Sequence, residues 1–308
     1  MELREFTPAD FDAVRKVDNL VWAELARPDN AFRLRTAANV LSNWSEDPHG
    51  CFVAEQKGDV LGYVFSHTWG KLGWLGTFGV RPDCRGQGIG KRLLDNSVEY
   101  LERKGCTTIG LETRPENAYN IGMYASHGFR PKHLTLLLSL PAQGRGNVGS
   151  KTEWSKLARL DQERMTERFL SICHSAQPGL DYTKMGKLRV LHGEGEIVAF
   201  GDRKRPWGFA VVRTTSPHVG ARSDDALVEA LVIDPSYESK FLFTLPTLES
   251  LARKWGKSNL VVPVNTSNWE VVRTLMSRGF RVRRGLLRMV YKEQETNDRA
   301  VNLSFWIM

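Results

Sequence analysis

Between an apolar run, Trp74 to Val80, and an amphipathic run, Ile89 to Leu101, the chain reads Val80-Arg81-Pro82-Asp83-Cys84-Arg85-Gly86-Gln87-Gly88-Ile89-Gly90-Lys91. Alternating glycines at such a junction let the backbone turn tightly and come close to a ligand, because no Cβ stands in the way. Ile89, Leu93, Leu94, Val98 and Leu101 form one apolar face and Gly105 marks a stop, so a helix is predicted from about Gly88. Its unpaired N–H groups and the positive end of its dipole suit an anion such as a pyrophosphate. A turn that binds nothing is the competing reading, but glycines there would each cost about 1 kcal/mol of helix stability without purpose.

Two common phosphate loops do not fit. A P-loop requires glycine where this chain has Arg85, and a dinucleotide-binding G-x-G-x-x-G requires glycine where it has Lys91. The pattern Arg85-x-x-Gly88-x-Gly90 after Val80-x-Pro82 resembles motif A of the Gcn5-related N-acetyltransferase (GNAT) family. The resemblance implies that Arg85, Gly86, Gln87, Gly88, Ile89, Gly90 and Lys91 hold the pyrophosphate and pantetheine of acetyl-CoA. Downstream, Asn117-Ala118-Tyr119-Asn120-Ile121-Gly122-Met123-Tyr124 leads to Gly128-Phe129 and looks like the family's motif B, with Asn120 where alanine is usual. Asn117 fits a helix N-cap, and Tyr124 lies two turns further on roughly the same face.

In that family the tyrosine protonates the leaving thiolate of CoA. A phenol suits this role because it stays protonated at neutral pH. By itself Tyr124 would also serve as a buried aromatic against Phe129. The resemblance further implies that backbone N–H groups around Phe78, Gly79 and Val80 polarise the thioester carbonyl. Many members carry a glutamate base on this strand, whereas Trp69 to Val80 contains no carboxylate. Glu112, Glu116 and His67 are the remaining candidates, and none is assigned. Trp22, Trp44, Trp69 and Trp74 fall in segments that border the acceptor cleft of this fold. The acceptor is an amine on a small molecule, a peptide or a protein. A non-catalytic acyl-CoA sensor or scaffold is the alternative, against which the retention of Tyr124 argues.

At 308 residues the chain is too long for one such domain. Leu231-Val232-Ile233-Asp234-Pro235 echoes Phe78-Gly79-Val80-Arg81-Pro82 at an offset of 153, and Asn268 to Gly279-Phe280 echoes Asn117 to Gly128-Phe129 at an offset of 151. A duplicated fold is therefore expected: a mixed, mostly antiparallel sheet flanked by helices, twice. The expected division is a catalytic copy over 1–140, a linker over 141–151, a degenerate copy over 152–292 and a tail over 293–308, more floppy than docked. In the second copy Arg85 is replaced by Glu238, Gly86 by Ser239, Gly88 by Phe241, Gly90 by Phe243 and Tyr124 by Leu275. These changes block close backbone approach, repel phosphate and remove the proton donor, so this copy is not expected to use acetyl-CoA. It is expected to complete the acceptor pocket or to mediate dimer formation. Gly186 to Glu196 has no functional reading.

The first copy is read as a strand over 2–6, helices over 8–26 and 31–44, and strands over 51–56, 60–68 and 74–80. The motif A helix, a strand over 107–113, the motif B helix and a strand over 134–140 follow. Of the charge of +8, the runs Arg281-Val282-Arg283-Arg284 and Arg203-Lys204-Arg205 are the only clusters. They lack interleaved aromatics and are read as solvated loops, so no nucleic-acid partner is expected. Four scattered cysteines argue for reduced thiols in a cytoplasm and against a metal site. No apolar run is long enough to span a membrane, and the amino-terminal residues do not read as a signal peptide.

Overall fold

Asp59–Trp69 and Leu72–Val80 are buried along almost their whole length, as strands covered on both faces must be. They lie at the heart of the first copy in the computed structural model, which describes residues 1–23, 34–144, 148–216, 222–294 and 301–304. This copy runs β1 (Glu2–Glu5), α1 (Phe11–Ala23), α2 (Ala37–Glu46), β2 (Phe52–Gln56), β3 (Asp59–Trp69), β4 (Leu72–Val80), α3 (Ile89–Arg103), β5 (Thr108–Thr113), α4 (Ala118–Ser126) and β6 (Arg130–Pro141). The same order recurs as β7 (Lys151–Glu153), α5 (Arg159–Ala176), α6 (Thr183–Leu191), β8 (Gly195–Asp202), β9 (Arg205–Arg213), β10 (Asp225–Ile233), α7 (Phe241–Lys254), β11 (Asn259–Asn265), α8 (Trp269–Ser277) and β12 (Arg281–Lys292). A last short strand, β13 (Asn302–Ser304), has no counterpart in the first copy.

Local chemistry explains the shifted boundaries. The helix expected from Pro8 starts as a 3-10 turn, Pro8–Asp10, in which the Asp10 carboxylate accepts from the Thr7 backbone N–H (2.8 Å). The helix expected from Ala31 begins at Ala37, because Thr36 accepts from the Asn39 N–H and Asn39 reaches back to Thr36. Residues 24–26 and 31–33 of those two helices lie outside the described residues, as do 145–147 of the linker and 295–300 and 305–308 of the tail.

The strands join in one sheet in the order β1-β2-β3-β4-β5-β12-β6-β11-β10-β9-β8-β7, with β13 added to β10. The final strands of the two copies are exchanged. β12 lies between β5 and β6, with Arg288 opposite Glu112 on one side and Gly285 opposite Leu136 on the other. β6 pairs in turn with β11, Leu138 opposite Val262. A division at 1–140 and 152–292 therefore follows the chain but not the sheet. Arg281 to Arg284 open β12 and are not a solvated loop: Arg283 donates to the buried Asp225 at 2.6 Å. The tail expectation also needs correction at residues 301–304, where Val301, Leu303 and Ser304 are buried.

Helices cover both faces. In the first copy α3 packs with Leu75, Ile109 and Met289 on one face, while α1 packs with Val53, Tyr63 and Phe65 on the other. α7 and α8 with Val262, and α5 and α6 with Val211, do the same for the second. The segment without a functional reading supplies part of a buried seam between the copies. Arg189 donates to Glu46, to Glu229 (2.6 Å) and to Glu194 (3.3 Å), and Arg213 donates to Glu194 (2.8 Å). Buried charges must be paired in this way to be tolerated.

Candidate active site

The turn after β4 is glycine-rich for a conformational reason. Gly86 (φ +76°) and Gly88 (φ +75°) both sit in the left-handed region, and a Cβ built on either would meet no neighbour within 4 Å. Gly88 caps α3 with no side-chain hydrogen bond, so the first N–H groups of that helix face outward without an acceptor from the cap residue. Arg85, Gly86, Gly88, Ile89, Gly90 and Lys91 all line a cavity of about 650 Å³. Gln87 is exposed and does not line it.

The cavity exists because β4 and β5 part. Their parallel pairing runs from Leu72 opposite Thr108 to Leu75 opposite Leu111, and beyond it Gly76–Val80 and Glu112–Thr113 become opposite walls. A bulge begins the separation: Gly76 and Thr77 together face Phe65, since Val64 pairs with Phe78 and Ser66 with Leu75. Gly76 is required there, because a Cβ would stand 2.9 Å from His67 Nε2. Phe78, Gly79 and Val80 complete the β4 wall.

Asn117 caps α4 by accepting from the Asn120 N–H at 3.0 Å, and α4 carries Tyr124 to the cavity. Tyr124 is packed between Phe78 and Phe129, with ring centroids 6.1 and 6.0 Å away. Burial raises its phenol above the ordinary tyrosine value, which keeps it protonated. The packing and the proton-donor readings of this residue are thus both compatible with its place.

The three base candidates separate clearly. His67 is wholly buried, lies 3.7 Å from Glu46 in the seam and does not line the cavity; burial, with Arg189 nearby, lowers it to about 3. Glu116 is exposed and outside the lining. Glu112 lines the cavity: its Oε1 accepts from Arg288 at 2.9 Å and from Thr135, while its buried Oε2 has no hydrogen-bond partner among the described residues. Of the four tryptophans, Trp22 lines the cavity beneath the Arg114 guanidinium (5.4 Å). Trp69 and Trp74 are core residues, and Trp44 packs on Phe11 and donates to the Phe6 carbonyl.

Arg284 and Leu286 also line the cavity, and both come from β12 of the second copy. Sequence reasoning missed them because nothing local signals a strand that crosses between copies. Among the described residues no group of three or more His, Cys, Asp or Glu side chains is placed to hold a metal, and no helix is long and apolar enough to cross a membrane.

Comparison with known proteins bears on the family and the fold. A model of the acetyltransferase (GNAT) family matches residues 15–129. An acetyltransferase of Pectobacterium atrosepticum is 34% identical over 126 residues, 40% of this chain and 84% of that protein. One from Yersinia enterocolitica is 30% identical over 139 residues, 44% of this chain and 93% of that protein. Among solved structures, a GCN5-related N-acetyltransferase from Sphaerobacter thermophilus has a TM-score of 0.60 at 15% identity, over 96% of this chain and 98% of its own. A tandem GNAT protein from the clavulanic acid biosynthesis pathway has a TM-score of 0.60 at 14% identity, over 96% and 99%. The chain belongs to the GNAT acetyltransferase family. It is an acyltransferase with a duplicated GNAT fold.

Proposed function

We propose that the first copy transfers the acetyl group of acetyl-CoA directly to an amine. The observation that carries this reading is the convergence on one cavity of the glycine turn, the parted edge of β4, Tyr124 and Glu112. The turn fits a pyrophosphate: left-handed glycines leave open space for it, and the uncapped start of α3 offers N–H donors. When bound, acetyl-CoA supplies an activated acyl carbon.

The residues of this chain then divide the work. Backbone N–H groups of Phe78 to Val80 are candidates to stabilise charge developing on the carbonyl oxygen, as fixed dipoles that need not reorganise. Glu112 Oε2 receives the proton that the amine loses as its C–N bond forms, and Arg288 with Thr135 fixes the carboxylate through Oε1. As the C–S bond breaks, Tyr124 gives its proton to the thiolate. The second copy contributes through β12, and its own counterpart of the site is not used.

A thiol-release assay with acetyl-CoA against small amines, peptides with free N-termini and lysine-containing peptides tests the reading. Thiol release matched by amide product is expected, with kcat reduced roughly 10²-fold or more in Glu112→Gln. Acetyl-CoA binding without turnover of any amine would instead leave a sensor or scaffold.

A further inference from the structure

A buried polar network lies beneath the parted edge of β4. Asp18 of α1 and Arg35, in the segment before α2, are both buried and form an ion pair at 3.1 Å. Arg35 donates to Thr77 Oγ1 at 2.7 Å, and its guanidinium lies 5.2 Å over the Phe65 ring. These two partners are the two sides of the bulge, where Gly76 and Thr77 together face Phe65. Asp18 Oδ1 accepts from the Tyr63 hydroxyl and, at 3.0 Å, from Trp22 Nε1. Tyr63 is paired with Gly79, and a Cβ on Gly79 would stand 3.1 Å from its ring. One buried ion pair therefore reaches both ends of the stretch from Thr77 to Gly79, and also Trp22 on the cavity wall.

Stability alone does not account for this arrangement. A buried ion pair is seldom more stabilising than apolar packing of the same volume, because both charges must be stripped of water. The second copy shows that the strand geometry does not require one at these positions. There β10 has a bulge at the matching place, between Val228 and Ala230, yet Ala230 stands for Thr77, Phe209 for Tyr63 and Val211 for Phe65. None of the three carries a hydroxyl, and that bulge is tied through Glu229 to Arg189 and Arg213 instead. Gly76, the counterpart of Glu229, has no side chain to tie, so in the first copy the hold passes to Thr77.

Resting on the acyl-transfer reading, we propose that Asp18 and Arg35 are positioning residues for the transfer. Through Thr77 and Tyr63 they fix the bulge, and with it the angle at which the N–H groups of Phe78 to Val80 meet the thioester carbonyl. Donors aimed at developing charge act only when held at the right distance and angle. A small displacement of the strand therefore lowers the rate. Cofactor affinity is spared, because no residue of the network belongs to the glycine turn.

The test uses the full chain. Thr77→Val keeps the shape of the side chain but offers Arg35 no oxygen, whereas Thr77→Ser keeps the oxygen. Thr77→Val should lower kcat about 10-fold or more with acetyl-CoA affinity changed less than about twofold, and Thr77→Ser should restore most of the rate. Adding Arg35→Lys to Thr77→Val should slow it less than about twofold further, because Arg35 acts through Thr77. A second readout needs no acceptor: the infrared C=O stretch of bound acetyl-CoA labelled with carbon-13 at the acetyl carbonyl. It should lie higher in Thr77→Val than in the wild type, since a less polarised carbonyl is stiffer. Asp18→Asn removes the charge on which Arg35 rests, should move the stretch the same way, and serves if Thr77→Val does not fold. Wild-type kcat in Thr77→Val, or a stretch unmoved in both variants, would overturn the proposal, as would Thr77→Ser no faster than Thr77→Val. If the wild type acetylates no amine, the transfer reading falls, while the carbonyl stretch still decides whether the network sets the donors.

Discussion

The two copies place the same pair of parallel strands at the same junction and use the opening between them in opposite ways. In the first, β4 and β5 separate after Leu75 and Leu111, and a cavity fills the gap. In the second, β10 and β11 pair only from Asp225 opposite Asn259 to Leu227 opposite Val261, so they part at the equivalent place. There the gap is closed by the chain itself. β13 adds to β10 with Ser304, Leu303 and Asn302 opposite Ala230, Leu231 and Val232, the counterparts of Thr77, Phe78 and Gly79. Where the first copy has Gly76 at its bulge, the second has Glu229, tied to Arg189 and Arg213. A parted strand pair exposes backbone groups that must find partners. In one copy that edge lines a cavity, and in the other it is met by residues 302–304 of the same chain.

The most severe way to break the contrast is to write the second turn into the first. Arg85→Glu with Gly88→Phe puts a negative charge and a bulky side chain where φ is +75° and a pyrophosphate is proposed to bind. Acetyl-CoA affinity should fall by a factor of about 10³ or more, since repulsion, blocked approach and backbone strain act together. Calorimetry showing wild-type affinity would remove the turn from the site. Next in size is Tyr124→Phe, which makes the first copy match the second in lacking a proton donor while keeping the ring between Phe78 and Phe129. Here kcat should drop roughly 10²-fold with acetyl-CoA affinity changed less than about twofold. Wild-type turnover would reduce Tyr124 to a packing residue.

Much of this contrast was legible in the sequence, because it depends on local chemistry. Glycines at a strand–helix junction and an N-cap at Asn117 are short-range signals that located the turn and the α4 tyrosine, and the repeat offsets, a comparison of one half of the chain with the other, located the replaced positions of the second copy. The exchange of β6 and β12 was not legible. A strand pattern states that a segment is extended but not which edge it joins, so Arg281 to Arg284 read as a charged loop although Arg284 reaches the cavity. The tail misled for a similar reason: Val301 and Leu303 are buried by pairing with β10, which no feature near residue 300 announces. His67 was proposed for its residue type, and its place in the charged seam, set by α2 and α6, excluded it from the cleft.

A smaller effect is expected from reopening the second gap. Leu303 is 1% exposed and packs in the core with Val262, Leu275 and Phe280. Leu303→Ala should cost about 2–5 kcal/mol in unfolding free energy, the usual range for a cavity left in a core. Acetyl-CoA affinity should be unaffected, because β13 is remote from the first cavity in the order of strands. Denaturant titration with an unchanged midpoint would mean that the segment does not close the gap in solution.

The smallest predicted effect concerns the seam where the copies meet. Glu46 of α2 is buried beside Arg189 and His67, and burial raises its carboxyl to about 7. A raised carboxyl means that the folded state binds the proton more tightly than the unfolded state. Its contribution is therefore fully present below about pH 4.5 and is lost as pH rises through 7. Glu46→Gln cannot titrate but keeps an oxygen for Arg189, so the stability of the wild type should fall relative to this variant between pH 5 and 8. The gap expected at pH 8 is on the order of 1–3 kcal/mol, given that one pKa unit corresponds to about 1.4 kcal/mol. Chemical denaturation at both pH values reads it directly. Parallel profiles for the two proteins would show that Glu46 stays ionised in the seam throughout, with Arg189 outweighing the cost of burial.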